Sequence, residues 1–147
     1  HDYNTAEQAM MHGKALLFGD ETTAREIMEA DDPARQKALG RGVRGFDQPH
    51  WDREKIALVT RINLAKFGQN RGLRRKLFQT GGQQLVEASP HDLIWGIGLD
   101  AKTASQTPPD AWPGQNLLGK VLTEVRETLS WLHPEEAAAC APFGGKP

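Results

Sequence analysis

The feature that most constrains this chain is the punctuation of its apolar segments. Residues that cap helix N-termini recur just ahead of stretches with helical periodicity: Thr5, Asp20, Asp32, Asn70 and Asn116. Only residues 84–88 are short, partly β-branched and followed closely by a proline, which suits a short strand or extended segment. A chain punctuated this way buries its apolar residues helix against helix. The expected fold is mainly α, a single compact helical domain with minor short β segments. At 147 residues it can bury roughly two-thirds of its unfolded surface without cross-links.

The individual segments follow from their boundaries. Thr5 and Gln8 have capping-box spacing, so the first helix runs from residue 6 to about 18 and Gly19 ends it. Asp20 caps a second helix over roughly 21–30, with Ala24, Ile27 and Met28 turned inward. Asp32-Pro33 opens a short helix that stops at Gly40. Residues 40–45 carry three glycines and form a loop. A long helix follows, started at Asp47 or the next turn and covering about 49–67. Its apolar residues occupy more than one face, so it is expected to be central and buried. Asn70 caps a helix to Thr80, which Gly81-Gly82 ends. Residues 96–114, with three glycines and three prolines, are expected as an irregular surface loop. The last helix spans 116 to about 132, with a core stripe of Leu117, Val121, Val125, Leu129 and Leu132. These elements make one domain over 1–132, with a loosely held C-terminal tail over 133–147.

Charge is distributed unevenly. Residues 1–32 carry a net −6, residues 33–76 a net +9 from twelve basic and three acidic side chains, and residues 77–147 a net −4. Such a basic middle suits an anionic ligand, a phosphate or nucleic acid; the other reading is a solvated face paired with the acidic flanks. No apolar run approaches the ~18 residues of a membrane span, and no N-terminal stretch has a signal-peptide layout. One cysteine, Cys140, excludes an internal disulfide framework and fits a reducing, cytoplasmic compartment. The five histidines lack zinc-site spacing, so no metal is expected. The glycine-rich nucleotide loops and the serine-hydrolase elbow are absent from the sequence.

Several residues can carry chemistry. Glu7, Met11, Lys14 and Phe18 share one stripe of the first helix. Burying a carboxylate and an ammonium unpaired on a core face costs several kcal/mol, roughly. They are either an acid/base carboxylate beside a pocket lysine, or a dipole-stabilised Glu7 with Lys14 turned to water. His91 to Gly98 forms a second constellation, in which Asp92 and Trp95 lie beside glycines that let backbone approach a ligand. The alternative is that Asp92 caps a turn and Trp95 belongs to the core. Glu87, a little upstream, is a second acid or an arginine's partner. Trp51 stacks on a base or ribose, or anchors the long helix. Lys66, Phe67 and Asn70 supply a cation, a ring and an amide where a helix begins, or make a plain turn. Asn116 is most simply an N-cap.

Read together, these strings resemble the NADAR superfamily of YbiA-like N-glycosidases. The resemblance rests on residues 3–11, Lys14-Ala15, 18–20, Asp32-Pro33, 37–41, 43–46, Trp51, Lys66-Phe67 with Gln69-Asn70, 85–90, Asp92, 94–98 and 116–119, in order over most of the domain. It implies cleavage of a bond between ribose C1 and a nitrogen. Two substrate classes are implied: ADP-ribose on guanine in nucleic acid, in a toxin–antitoxin context, and phosphorylated ribosylaminopyrimidine intermediates of riboflavin synthesis. A third possibility is a non-catalytic ADP-ribose or NAD reader. The resemblance places Glu7, Lys14, Trp51, Asp92 and Trp95 at the pocket and makes Glu7 and Asp92 the acid/base pair. Lys14 orients them or attacks an opened ribose. Trp51 and Trp95 stack, and Lys37 and Arg41 contact phosphate. Lys66, Phe67, Asn70, Gly96 and Asn116 complete the substrate-binding set, with neither cofactor nor metal expected.

Overall fold

A computed structural model of the protein describes residues 2–140. Among them are eight α-helices and one 3-10 turn: α1 (Ala6–Leu17), α2 (Glu21–Glu29), α3 (Pro33–Arg41), α4 (Gln48–Gln69), α5 (Arg71–Gln79), α6 (Ala101–Ser105), the turn Pro109–Ala111, α7 (Leu117–Leu132) and α8 (Pro134–Ala139). The chain is mainly helical, as its punctuation implies. The residues fall into two compact units that divide between Lys66 and Phe67, near the end of α4.

In the first unit α1 packs on α2 and α3. Met11, Ala15, Ala24, Ile27 and Val43 form its buried cluster, with Met10, Phe18 and Leu39 packed against it. The caps are those the sequence marks: Thr5 accepts from the Gln8 N–H, Asp20 from Thr23, and Asp32 from Ala34. Asp47 accepts from the His50 N–H at 3.0 Å and starts α4. The expectation that this long helix is buried on more than one face is corrected. Only Trp51, Lys55, Val59 and Asn63, four residues apart, are buried, and Ile56 is exposed. A four-residue spacing makes a single narrow contact stripe, so the other apolar side chains remain partly in solvent.

In the second unit α5 and α7 pack together and both contact α8. Leu77 and Phe78 on α5 and the stripe of Val121, Val125 and Leu129 on α7 are buried. That stripe stops short of its expected end, because Leu132 is 67% exposed. Residues 96–114 are more ordered than their composition suggests. Asp100 caps α6 by accepting from the Thr103 N–H at 2.7 Å. The expected β segment at 84–88 is not a strand, and no strand occurs among the described residues. Its hydrogen bonds come from a side chain and a loop: Asn116 accepts from the Glu87 N–H at 3.0 Å and donates to the Leu85 carbonyl at 2.9 Å, and the Ile97 N–H donates to the Glu87 carbonyl at 3.0 Å. One amide supplies the donor and acceptor that a neighbouring strand would otherwise provide. Beyond His133, α8 is tied to α5 by Arg74 and Glu136, 3.0 Å apart, and Cys140 is buried; residues 141–147 of the expected tail lie outside the described residues.

Candidate active site

The first turn of α1 is held by amide side chains. Gln8 accepts from the Asn4 N–H at 2.8 Å and donates to the Ile27 carbonyl at 3.1 Å. Gln36, fully buried on α3, donates to the Ala30 carbonyl at 2.7 Å and to Asn4 at 3.1 Å, and accepts from the Thr5 hydroxyl at 3.1 Å. These bonds tie the start of α1 to the end of α2 and to α3. Glu7 projects from that turn, half-buried, and its carboxylate has no hydrogen bond or ion pair among the described residues. A rigid turn therefore presents a carboxylate whose hydrogen-bonding capacity is unused.

Two turns along the same helix, Lys14 is enclosed. Its ammonium donates to the Gly40 carbonyl at 2.8 Å and lies over the rings of Phe46 (4.7 Å) and Trp51 (5.6 Å). No carboxylate pairs with it among the described residues. Burial therefore holds its pKa below the ordinary lysine value of 10.5. The sequence alternative of Lys14 turned to water is not what is observed. Phe18 packs edge-on against Phe46 and His50, at 5.2 and 5.5 Å between ring centroids, and so backs the aromatic wall.

Two glycines and one carboxylate build this pocket. A Cβ on Gly40 would collide with the sulfur of Met11, so α3 approaches α1 closely enough for the Gly40 carbonyl to reach Lys14 only because the residue is glycine. Gly45 has φ +77°, turning the chain so that Phe46 can cover the lysine. Asp20 pins the same loop, accepting from the Arg44 N–H at 2.9 Å and the Thr23 hydroxyl at 2.5 Å. Those hydrogen bonds, the Thr23 hydroxyl first, hold its carboxyl down at about 2. Sequence reasoning left Gly40, Phe46 and His50 out of the candidate site, although Phe18 was on its stripe. The available signals were the four-residue spacing of Lys14 and Phe18 and the Gly45-Phe46 pair.

The basic residues divide clearly. Arg44 pairs with Asp20, Lys55 with Asp52, and Arg74 with Glu136. Lys37 and Arg41 are exposed on α3 and unpaired, with Arg41 next in sequence to the carbonyl that holds Lys14. Lys66 is exposed near the end of α4. Two of these pairs reach the acidic flanks, to Asp20 and Glu136, and the third lies within the block.

The second unit brings together Asp92, Trp95, Gly96 and Asn116. Asp92 Oδ1 accepts from the N–H groups of Ile94 (3.0 Å) and Trp95 (2.8 Å), so it caps a turn, while Oδ2 has no partner among the described residues. The carbonyls of Leu93, Ile94, Trp95 and Gly96 then accept from the N–H groups of Gln115, Leu117, Leu118 and Asn116, at 2.8–3.1 Å. The loop itself thus caps the N-terminus of α7, replacing the side-chain cap expected of Asn116. Asn116 adopts φ 54° and spends its amide on residues 85–87. A Cβ on Gly96 would sit 3.0 Å from two carbonyl oxygens, and one on Gly114 would clash with the Gly96 carbonyl and Ile97 backbone. Trp95 is half-buried. Asn70 is the N-cap of α5, accepting from Leu73 at 3.1 Å, and the Phe67 carbonyl faces Arg74 at 3.5 Å. Among the described residues no group of three or more acidic, histidine or cysteine side chains could hold a metal. No described helix is long and apolar enough to cross a membrane.

This helical scaffold is shared with a solved protein. The NMR structure of the E. coli protein YbiA superposes with a TM-score of 0.72 at 28% identity, covering 90% of this chain and 71% of that one. The NADAR domain model matches residues 1–130. The chain is 51% identical over 126 residues to N-glycosidase R617 of Acanthamoeba polyphaga mimivirus, covering 86% of this chain and 74% of that protein. It is 32% identical over 126 residues to the chloroplastic riboflavin biosynthesis protein PYRR of Zea mays, which it covers for 18% of its length. The class is thus that of helical domains that include proteins named as N-glycosidases. The chain belongs to the NADAR domain family.

Proposed function

We propose that this chain hydrolyses the bond between ribose C1 and a nitrogen, and that its substrate is ADP-ribose attached to guanine in nucleic acid. The observation that carries the reading is Lys14: a desolvated ammonium under two aromatic rings, held by a neutral carbonyl, with the unpartnered Glu7 two turns away on the same helix. A lysine whose pKa is depressed by burial supplies a neutral amine at lower pH than a free one.

In the ring-opened substrate, C1 is double-bonded to the guanine nitrogen. The Lys14 amine adds to C1. The surplus proton on the added lysine nitrogen and a proton from Glu7 both reach the guanine nitrogen, the bond from C1 to that nitrogen breaks with guanine leaving as its free amine, and Lys14 is left as a protonated imine on C1. Water adds there with Glu7 as base, the lysine amine leaves, and the freed aldehyde closes to ADP-ribose. Trp95, half-buried, supplies a stacking surface for the base or sugar, and Trp51, which is buried, backs Lys14. Lys37 and Arg41 take the diphosphate, for which their exposed and unpaired state on α3 is suited. Asp92 contributes chiefly by shaping the loop that carries Trp95, since backbone N–H groups occupy one of its oxygens. An enzyme of this kind acts opposite a transferase that places ADP-ribose on guanine, which is the toxin–antitoxin setting.

The test is a cleavage assay on an oligonucleotide ADP-ribosylated at guanine, with mass spectrometry of the products and borohydride trapping. Free ADP-ribose, intact guanine and a reduced adduct on Lys14 are expected. A second reading, a phosphorylated ribosylaminopyrimidine as substrate, draws on the similarity to the maize riboflavin biosynthesis protein. Turnover of that compound with the oligonucleotide left untouched would replace the first reading.

A further inference from the structure

The nine-residue helix α5 contains Arg71, Arg74, Arg75 and Lys76 and no acidic residue. Arg74 is accounted for. It is buried, it pairs with Glu136 at 3.0 Å, and it donates to the Gly68 carbonyl at 2.7 Å. With Leu77 and Phe78 it fastens the inner side of the helix. Four cations against the single carboxylate of Glu136 leave three in excess. Those are Arg71, in the first turn, and Arg75 and Lys76 beyond it. Arg71 and Lys76 are exposed and Arg75 is half-buried. No ion pair links Arg75 or Lys76 to a carboxylate among the described residues. Arg71 and Arg75 are four apart, where like charges repel, and a cation in the first turn also opposes the helix dipole. At the other end Arg126 donates to the Thr80 carbonyl at 2.7 Å, adding a further positive charge.

We infer that α5 is a docking surface for the phosphodiester backbone of nucleic acid, separate from the residues assigned to chemistry. A polyanion relieves the repulsion along the helix, and each neutralised phosphate releases counterions, so binding strengthens as salt falls. The buried anchor of Arg74 makes α5 a fixed platform, which reduces the ordering cost of the contact. The inference rests on the nucleic-acid reading of the substrate, and the experiment separates the two.

Binding of an unmodified, fluorescently labelled single-stranded oligodeoxynucleotide is measured by anisotropy against salt concentration. It is compared in the wild-type protein, in the R71Q/R75Q/K76Q variant and in an R71K/R75K variant. Hydrolysis of free ADP-ribosyl guanosine is followed in parallel. The glutamine variant is expected to bind at least about tenfold more weakly, with a log–log salt slope shallower by about 2, from three contacts of ~0.7 each. Its turnover of the free nucleoside stays at the wild-type level, and the lysine variant keeps its oligonucleotide binding. Wild-type-like binding by the glutamine variant overturns the inference. So does a wild-type protein that hydrolyses ADP-ribosyl guanosine but does not bind the oligonucleotide, an outcome that leaves the proposed reaction standing. Loss of binding in the glutamine variant, with no hydrolysis of ADP-ribosyl guanine by any form, upholds the docking surface and removes the proposed reaction.

Discussion

Glu7 and Asp92 are both carboxylates picked out by the same resemblance, yet their surroundings differ. Glu7 stands on a helix turn fastened by Gln8 and Gln36, and its own oxygens bond to nothing among the described residues. Asp92 uses one oxygen to cap its own turn, and the carbonyls of that turn in turn cap α7. One unit leaves its acid free and builds support around it. The other makes its acid part of the support. A shared residue type at two positions does not mean a shared role, because the hydrogen-bond partners decide what remains for a ligand.

The largest expected effects test the free side of that contrast. Glu7→Gln and Lys14→Ala should each lower the rate by about a hundred- to ten-thousandfold while thermal unfolding stays near wild type. Lys14→Arg keeps the charge but offers no attacking amine, and should be equally inactive. If Lys14 acts as a neutral amine, kcat/KM should rise with pH towards its pKa, with a midpoint below 10.5. A flat alkaline profile, or an active arginine variant, would leave Lys14 an electrostatic role only.

Next in size is the capping network of the second unit. Asn116→Ala removes both bonds to residues 85–87 and leaves an alanine in a left-handed conformation, costing about 2–4 kcal/mol in denaturant unfolding. Asp92→Ala should cost about 0.5–2 kcal/mol, whereas Asp92→Asn keeps an acceptor and should be near neutral in stability. The asparagine variant sharpens the comparison most directly. If it folds normally and turns over substrate at close to the wild-type rate, Asp92 is a positioning residue. If it folds and is dead, the second carboxylate carries proton chemistry after all.

The smallest effect concerns Asp20, a carboxylate used wholly for structure. Its pKa is depressed from 3.8 to about 2 by hydrogen bonds from the Thr23 hydroxyl and the Arg44 and Thr23 N–H groups. Its contribution is therefore complete above 3.8 and is lost as pH falls towards about 2. Stability measured across that window should decline less steeply in Asp20→Asn than in wild type. Equal slopes would show that another carboxylate governs the acid limb.

Much of the helical layout was legible because caps are local chemistry. Thr5, Asp20, Asp32 and Asn70 each bond an N–H two or three residues ahead, so a sequence window contains both partners. The shared side of Glu7 and Lys14 was legible for the same reason, since helical spacing alone brings those residues to one side. What remained hidden involved partners distant in sequence. Asn116 read as an N-cap, yet its amide bonds to residues about thirty positions earlier and takes the place of a strand. The lysine pocket needed Gly40, Phe46 and Trp51 to converge on Lys14 from other elements. The chain by itself determined the helices from α1 to α5 and α7, its uneven charge and its family. Only the tertiary structure decided which carboxylate is left free and which lysine is desolvated, because hydrogen-bond satisfaction and burial are properties of neighbours in space.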